Sequence, residues 1–133
     1  MALEIMQYLY YLANASLTLR VVEYFSRNDS SLEFITVINQ FHGWIINVKI
    51  KSFVPKQKDK DIKAFLSEVG IVYSPPEFIS NVLSSLEAGQ SATNVMRRYK
   101  VAIVSHGRPQ PNEIEAFRQS FIRGLGYCPQ NLA

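Results

Sequence analysis

Residues 44–54 (WIINVKIKSFV) constrain the chain most. Trp44, Ile46, Val48 and Ile50 fall on one side of an extended backbone, while Asn47, Lys49 and Lys51 fall on the other with Ile45 and Phe53. A repeat of two suits a strand and cannot sit on one face of a helix, whose period is about 3.6. The run 32–38 (LEFITVI) shares this β-branched and aromatic character, and Asn39-Gln40-Phe41-His42-Gly43 separates the two. An antiparallel hairpin over 32–54 follows, one face on a core and the other toward water or a partner. Ile45, Phe53 and Phe41, on or near the wetter side, mark a second buried layer or a protein interface.

Helical signals dominate the second half. Ile62, Phe65, Leu66 and Val69 recur at helical spacing within 59–69, with Asp59 at the start and Gly70 just beyond. Pro55 to Lys60 reads as a connector leading into it. After a short extended piece, Ile71-Val72-Tyr73, the pair Pro75-Pro76 opens a helix over 76–88 that Gly89 closes. Ser91 caps a helix over 92–99, residues 100–105 (KVAIVS) revert to β character, and a turn-rich loop, 106–111, follows. The last helix spans 112–123 and stops at Gly124-Leu125, which leaves a tail, about 125–133, without regular structure. At the other end, the run 2–13 is too uniformly apolar for periodicity to choose between helix and buried strand, its length slightly favours a helix ended by Asn14, and 16–25 (SLTLRVVEYF) reads as a strand.

With 133 residues, 47% apolar and 19% charged, the chain has the composition of a globular domain, with enough length for one core and too little for two. The expected fold is therefore α+β over 1–133 as a single domain: a small antiparallel sheet of about three to five strands, including the 32–54 hairpin, packed with four or five helices. Cys128 is the only cysteine, so neither an intramolecular disulfide nor a cysteine-based zinc site can form within the chain. Met1 to Ala13 carries Glu4 and no Lys or Arg, unlike a secretory signal, and is too short to span a bilayer; the expected location is the cytoplasm, with no membrane contact.

Net charge is +3, but unevenly placed. Lys49, Lys51, Lys56, Lys58, Lys60 and Lys63 against Asp59 and Asp61 make 49–63 net +4; Arg97, Arg98, Lys100, Arg108, Arg118 and Arg123 against Glu113 and Glu115 make 97–133 net +4. Residues 1–48, net −2, and 64–96, net −3, are acidic. Lysines on loops and strand faces commonly serve only solubility, and arginines at a helix end complement its dipole. Brought together, such cations gather phosphate. The candidate nucleic-acid contacts are Lys49, Lys51, Arg97, Arg98, Lys100 and Arg108.

The phrase Leu86-Glu87-Ala88-Gly89-Gln90-Ser91-Ala92, running into Val95, Arg97, Arg98, Tyr99 and Val101, resembles the opening of helix-turn-helix domains in transposases and DNA invertases. The resemblance covers 77–101 and implies DNA binding. A complete motif needs a third helix to enter the major groove. Residues 102–109 (AIVSHGRP) instead spell a strand and a turn, so no base-reading residue carries over, and phosphate contact from the cations is what remains.

Enzyme chemistry finds no support. His42 and His106 are the only histidines, Ser105 and His106 are strand neighbours whose side chains diverge, and no nucleophile elbow, P-loop, dinucleotide fingerprint or metal-ligand spacing occurs. No cofactor is expected. Two roles stand: a small non-enzymatic nucleic-acid-associated accessory or regulatory protein, and a protein-interaction module (adaptor, secretion chaperone or macromolecular inhibitor) that forms a homodimer.

Overall fold

A computed structural model describes residues 6–27, 32–50 and 54–133. In chain order the elements are β1 (Met6–Leu12), α1 (Ala15–Arg27), β2 (Leu32–Gln40), β3 (Gly43–Ile50), α2 (Lys56–Val69), β4 (Ile71–Val72), α3 (Glu77–Glu87), α4 (Ala92–Tyr99), β5 (Ala102–Gly107) and α5 (Pro111–Leu125), then a 3-10 turn (Gln130–Leu132). The fold is α+β, as the patterning predicts. Its sheet is five-stranded in the order β4-β1-β3-β2-β5, and every neighbouring pair is antiparallel.

The expected hairpin forms, with a tighter tip. Gln40 pairs with Gly43, so Phe41 and His42 alone make the turn. Glycine is needed at 43 for space: a Cβ there would collide with the Tyr11 hydroxyl and come 2.7 Å from the Leu12 carbonyl. Trp44, Ile46, Val48 and Ile50 enter one core, with Tyr8, Tyr10 and Leu12 from β1 and Ile35 and Val37 from β2. The opposite face is not open. Ile38, Ile45 and Ile103 are buried there beneath Ile79, Val82, Leu83 and Leu86 of α3 and Val95 of α4. Ile45 thus belongs to a second buried layer. Lys51 and Phe53 lie outside the described residues. The sheet is sandwiched, with α1, α2 and α5 on one side and α3 and α4 on the other.

Two N-terminal expectations are reversed. The run 2–13, open between helix and strand with its length leaning to a helix, forms β1 over its described part, and the expected strand 16–25 is α1. Burial decides both. In β1 alternate residues Tyr8, Tyr10 and Leu12 are buried, whereas in α1 the buried set is Ala15, Thr18, Val21, Val22 and Phe25, a helical stripe. Tertiary packing therefore overrides the β-propensity of Val21, Val22 and Phe25. Asn14 does not end a helix; its Oδ1 accepts the Leu17 N–H at 3.0 Å and caps α1.

Smaller differences follow the same logic. The Pro55–Lys60 connector is the first turn of α2. Gly70 does follow α2, in extended rather than left-handed geometry; a Cβ there would lie 2.5 Å from the Tyr11 carbonyl oxygen. Gly124 stays inside α5, and the stop is Gly126 at φ 79°, whose N–H reaches the Ile122 carbonyl. The tail, expected to be irregular, docks. Leu132 is buried, the indole N–H of Trp44 donates to the Asn131 carbonyl at 2.7 Å, and Arg118 Nε donates to the Leu132 carbonyl at 2.7 Å. Asn131 Nδ2 donates to the Phe41 carbonyl at 3.1 Å, which ties the tail to the hairpin tip.

Candidate functional site

The cations singled out in the sequence divide around β5. Ser91 Oγ caps α4 by accepting the Asn94 N–H at 3.2 Å, and the helix runs from there toward the start of β5. Arg97 and Arg98 occupy its last turn, exposed, as their complementarity to a helix C-terminus requires. The Arg98 guanidinium lies 5.3 Å from the Tyr99 ring centre. Lys100 follows at φ 56°, the one non-glycine residue with positive φ among the described residues. Left-handed backbone costs a side-chain-bearing residue about 1 kcal/mol and concentrates at working sites. Arg108 is exposed at the far end of β5. Among the described residues none of these four cations is in an ion pair.

Lys49 does not join them as a free charge. Its Nζ is 3.1 Å from Glu87 Oε1 and 5.5 Å from the Phe34 ring centre, and its side chain is 19% exposed. Lys51 lies outside the described residues. The five described candidates thus do not form one open patch: Arg97, Arg98 and Lys100 sit at the start of β5, Arg108 at its end, and Lys49 is paired with Glu87 on β3.

Between the two cationic ends lies what sequence reasoning missed. β5 is a six-residue strand at the margin of the sheet, paired only with β2 among the described residues. Its register slips between Val37 and Ile38 of β2, where Val104 has no Cα partner. This bulge turns Ser105 toward the Val37 face and His106 toward the Thr36 face. A free margin of this length offers N–H and C=O groups to another extended chain. The signal was present in KVAIVS as a strand; its position in the sheet was not, because strand order is set by distant contacts.

Beside the start of β5 the hairpin tip and the first turn of α3 frame an open cleft of about 480 Å³, lined by Phe41, His42, Phe78, Lys100 and Val101 among others. Phe41 is 88% exposed and Phe78 44%. Apolar rings beside a cation suit an amphipathic partner rather than a small polar substrate.

The histidines stand apart. His42 packs edge-on against Phe41 at the tip. His106 Nδ1 is 2.7 Å from the Thr36 hydroxyl, and burial pushes its pKa below 6.5 although Glu87 opposes the shift. Ser105 is buried and its hydroxyl has no partner in the described structure, so it does not meet His106. Asp59 is engaged by the Tyr8 hydroxyl at 2.6 Å, which holds its carboxyl below the usual range, while burial, then that hydrogen bond, raises Tyr8. Among the described residues no group of three or more His, Cys, Asp or Glu could hold a metal ion, and no helix is long and apolar enough to cross a membrane.

Compared with protein-family models, with curated proteins and with solved structures, the chain matches none. Function must be argued from its own geometry.

Proposed function

We propose that this chain is a non-enzymatic protein-interaction module that takes up an extended acidic segment of a partner as an additional strand on β5. The observation that carries the reading is a six-residue sheet margin bracketed by Arg97, Arg98 and Lys100 at one end and Arg108 at the other, all without ion pairs among the described residues. Main-chain hydrogen bonds along such a margin supply affinity, and the flanking side chains supply selectivity. The same charges disfavour self-pairing: two β5 strands laid antiparallel bring Lys100 of one copy near Arg108 of the other, and like charges across a ladder repel. A carboxylate-bearing strand meets the opposite condition at both ends.

Nucleic-acid association is the second reading, favoured by the four unpaired cations alone. It makes no use of the β5 backbone, because a phosphodiester chain cannot complete a β-ladder.

Fluorescence anisotropy with three labelled probes separates the two: an acidic peptide of alternating Glu and Thr/Val, a proline-interrupted peptide of equal charge, and a short DNA duplex. Strand capture predicts binding of the first peptide, little of the second, and roughly tenfold weakening with Lys100→Glu plus Arg108→Glu, about 1.4 kcal/mol. Equal binding of both peptides overturns it. Tight duplex binding, with affinity falling at a log–log salt slope of about −0.9 per phosphate contact, establishes the second reading instead.

A further inference from the structure

The cleft beside the start of β5 is framed by three separate parts of the chain. The hairpin tip supplies Phe41 and His42, the first turn of α3 supplies Phe78, and the segment entering β5 supplies Lys100, Val101 and Ala102. Both aromatic walls are held in place. Gln40 pairs with Gly43, and Asn131 Nδ2 donates to the Phe41 carbonyl at 3.1 Å and lies 3.4 Å from that of Gln40, which fixes the backbone beneath the Phe41 ring. Phe78 packs edge-on against Tyr99, ring centres 6.1 Å apart. A wall already ordered loses little further entropy when something docks on it.

These rings meet water although they have walls to pack against: Phe41 is 88% exposed and Phe78 44%. The cleft between them, about 480 Å³, falls within the roughly 300–1,000 Å³ of ordinary ligand clefts. Of the lysines, arginines and carboxylates only Lys100 lines it, and Lys100 has no ion pair among the described residues. The complementary occupant is a large apolar side chain with a carboxylate beside it. A second copy of the chain fits poorly, because it would bring another Lys100 against this one.

The cleft is continuous with the sheet margin, since Ala102 both lines it and is the first residue of β5. At the other end β5 runs into 106–111 (HGRPQP), which offers a cation and no large apolar side chain. The two ends of the margin are therefore unequal. We propose that the segment captured on β5 carries a large apolar residue, aromatic by preference, beside a carboxylate at its Lys100 end, and that this residue seats between Phe41 and Phe78 as an anchor. The anchor rests on strand capture at β5 and adds to it a requirement on the partner's sequence.

Fluorescence anisotropy tests this with labelled peptides: the alternating Glu and Thr/Val strand, the same strand with Phe beside its first Glu, the same with Phe beside its last Glu, and a proline-interrupted form of each Phe peptide. The gain is the ratio of affinities with and without Phe, read within each protein. One Phe peptide is expected to bind about tenfold tighter than the plain strand, and the other to show no gain, because a strand of either polarity brings one end only to Lys100. The gain should persist in Val72→Ser, which alters an exposed residue of β4, and fall to near one in Phe41→Ser and Phe78→Ser. Phe41→Ser decides alone if Phe78→Ser loses its native thermal transition. An equal gain for both Phe peptides, a gain for neither, or a gain that survives Phe41→Ser overturns the anchor and leaves strand capture standing. Proline-interrupted forms that bind as tightly as the uninterrupted ones overturn both. Self-association of the native chain that Phe41→Ser abolishes assigns the cleft to a second copy and likewise overturns the anchor.

Discussion

The two margins of the sheet solve the same problem differently. β4 is two residues long, leaves Ile71 66% and Val72 71% exposed, and is followed by Ser74-Pro75-Pro76. Too few main-chain groups are presented there to template another strand, so apolar residues can remain at the surface. β5 is six residues long, and its ends carry Lys100 and Arg108. One margin is closed by brevity and proline. The other keeps its length and carries cations at both ends, which on the proposed reading repel a second copy and admit a strand of opposite sign. On that reading one sheet joins a margin too short to pair with a margin that selects its partner.

The largest test concerns what pins β4. Gly70 packs where a Cβ would lie 2.5 Å from the Tyr11 carbonyl oxygen, and Tyr11 is also the residue that pairs with Ile71. Gly70→Ala must push β4 off β1 or distort α2's exit, and should cost about 2–3 kcal/mol by urea unfolding. A loss under about 0.5 kcal/mol would show that β4 does not depend on this close approach.

The second test removes the charges from the long margin. Lys100→Ser with Arg108→Ser should make the chain self-associate through β5, strengthening dimerisation about tenfold in sedimentation velocity, whereas Lys58→Ser with Lys60→Ser on α2 should not. If both pairs behave alike, net charge rather than placement keeps the chains apart.

These margins also mark how far the sequence could be read. The hairpin was legible because Trp44, Ile46, Val48 and Ile50 alternate within one segment, and α2, α3 and α4 because their apolar residues recur within single turns. Residues 6–27 were not, since Val21, Val22 and Phe25 suit either a strand or the buried stripe of a helix, and only the surrounding core decides. Docking of the tail depends on Asn131 meeting Trp44 and Phe41 across most of the chain, a contact with no local signature. At the candidate site the residue types were visible and their grouping was not. Pairing of Lys49 with Glu87 joins two residues with no periodic relation, and the place of β5 at the margin of the sheet, unpaired on its outer side among the described residues, arises from strand order alone.

A smaller effect is expected at Lys100 itself. Its φ of 56° suits glycine better than lysine. Lys100→Gly should therefore stabilise the fold by about 0.5–1 kcal/mol while weakening capture of the acidic strand. A variant that is both more stable and fully competent to bind would mean that the charge at the start of β5 plays no part in recognition.

The smallest effect distinguishes the margins by pH. His106, on β5, is held below 6.5 chiefly by burial, so the folded chain binds its proton less readily than the unfolded chain does. The unfolded state then carries more bound protons between the folded value and 6.5, and stability must fall as pH drops through that window. Below the folded value this contribution becomes constant. Near β4 the corresponding group is Tyr73, stacked on Tyr11 and raised above 10.0 by burial, so it stays neutral throughout this range. Acidification from neutrality should accordingly speed the opening of β5 amides, after correction for intrinsic exchange, while β4 amides at Ile71 and Val72 keep their protection. His106→Gln, which cannot titrate, should remove that difference; its persistence would assign the acid sensitivity to another group, with Asp59 next to be tested through Asp59→Asn.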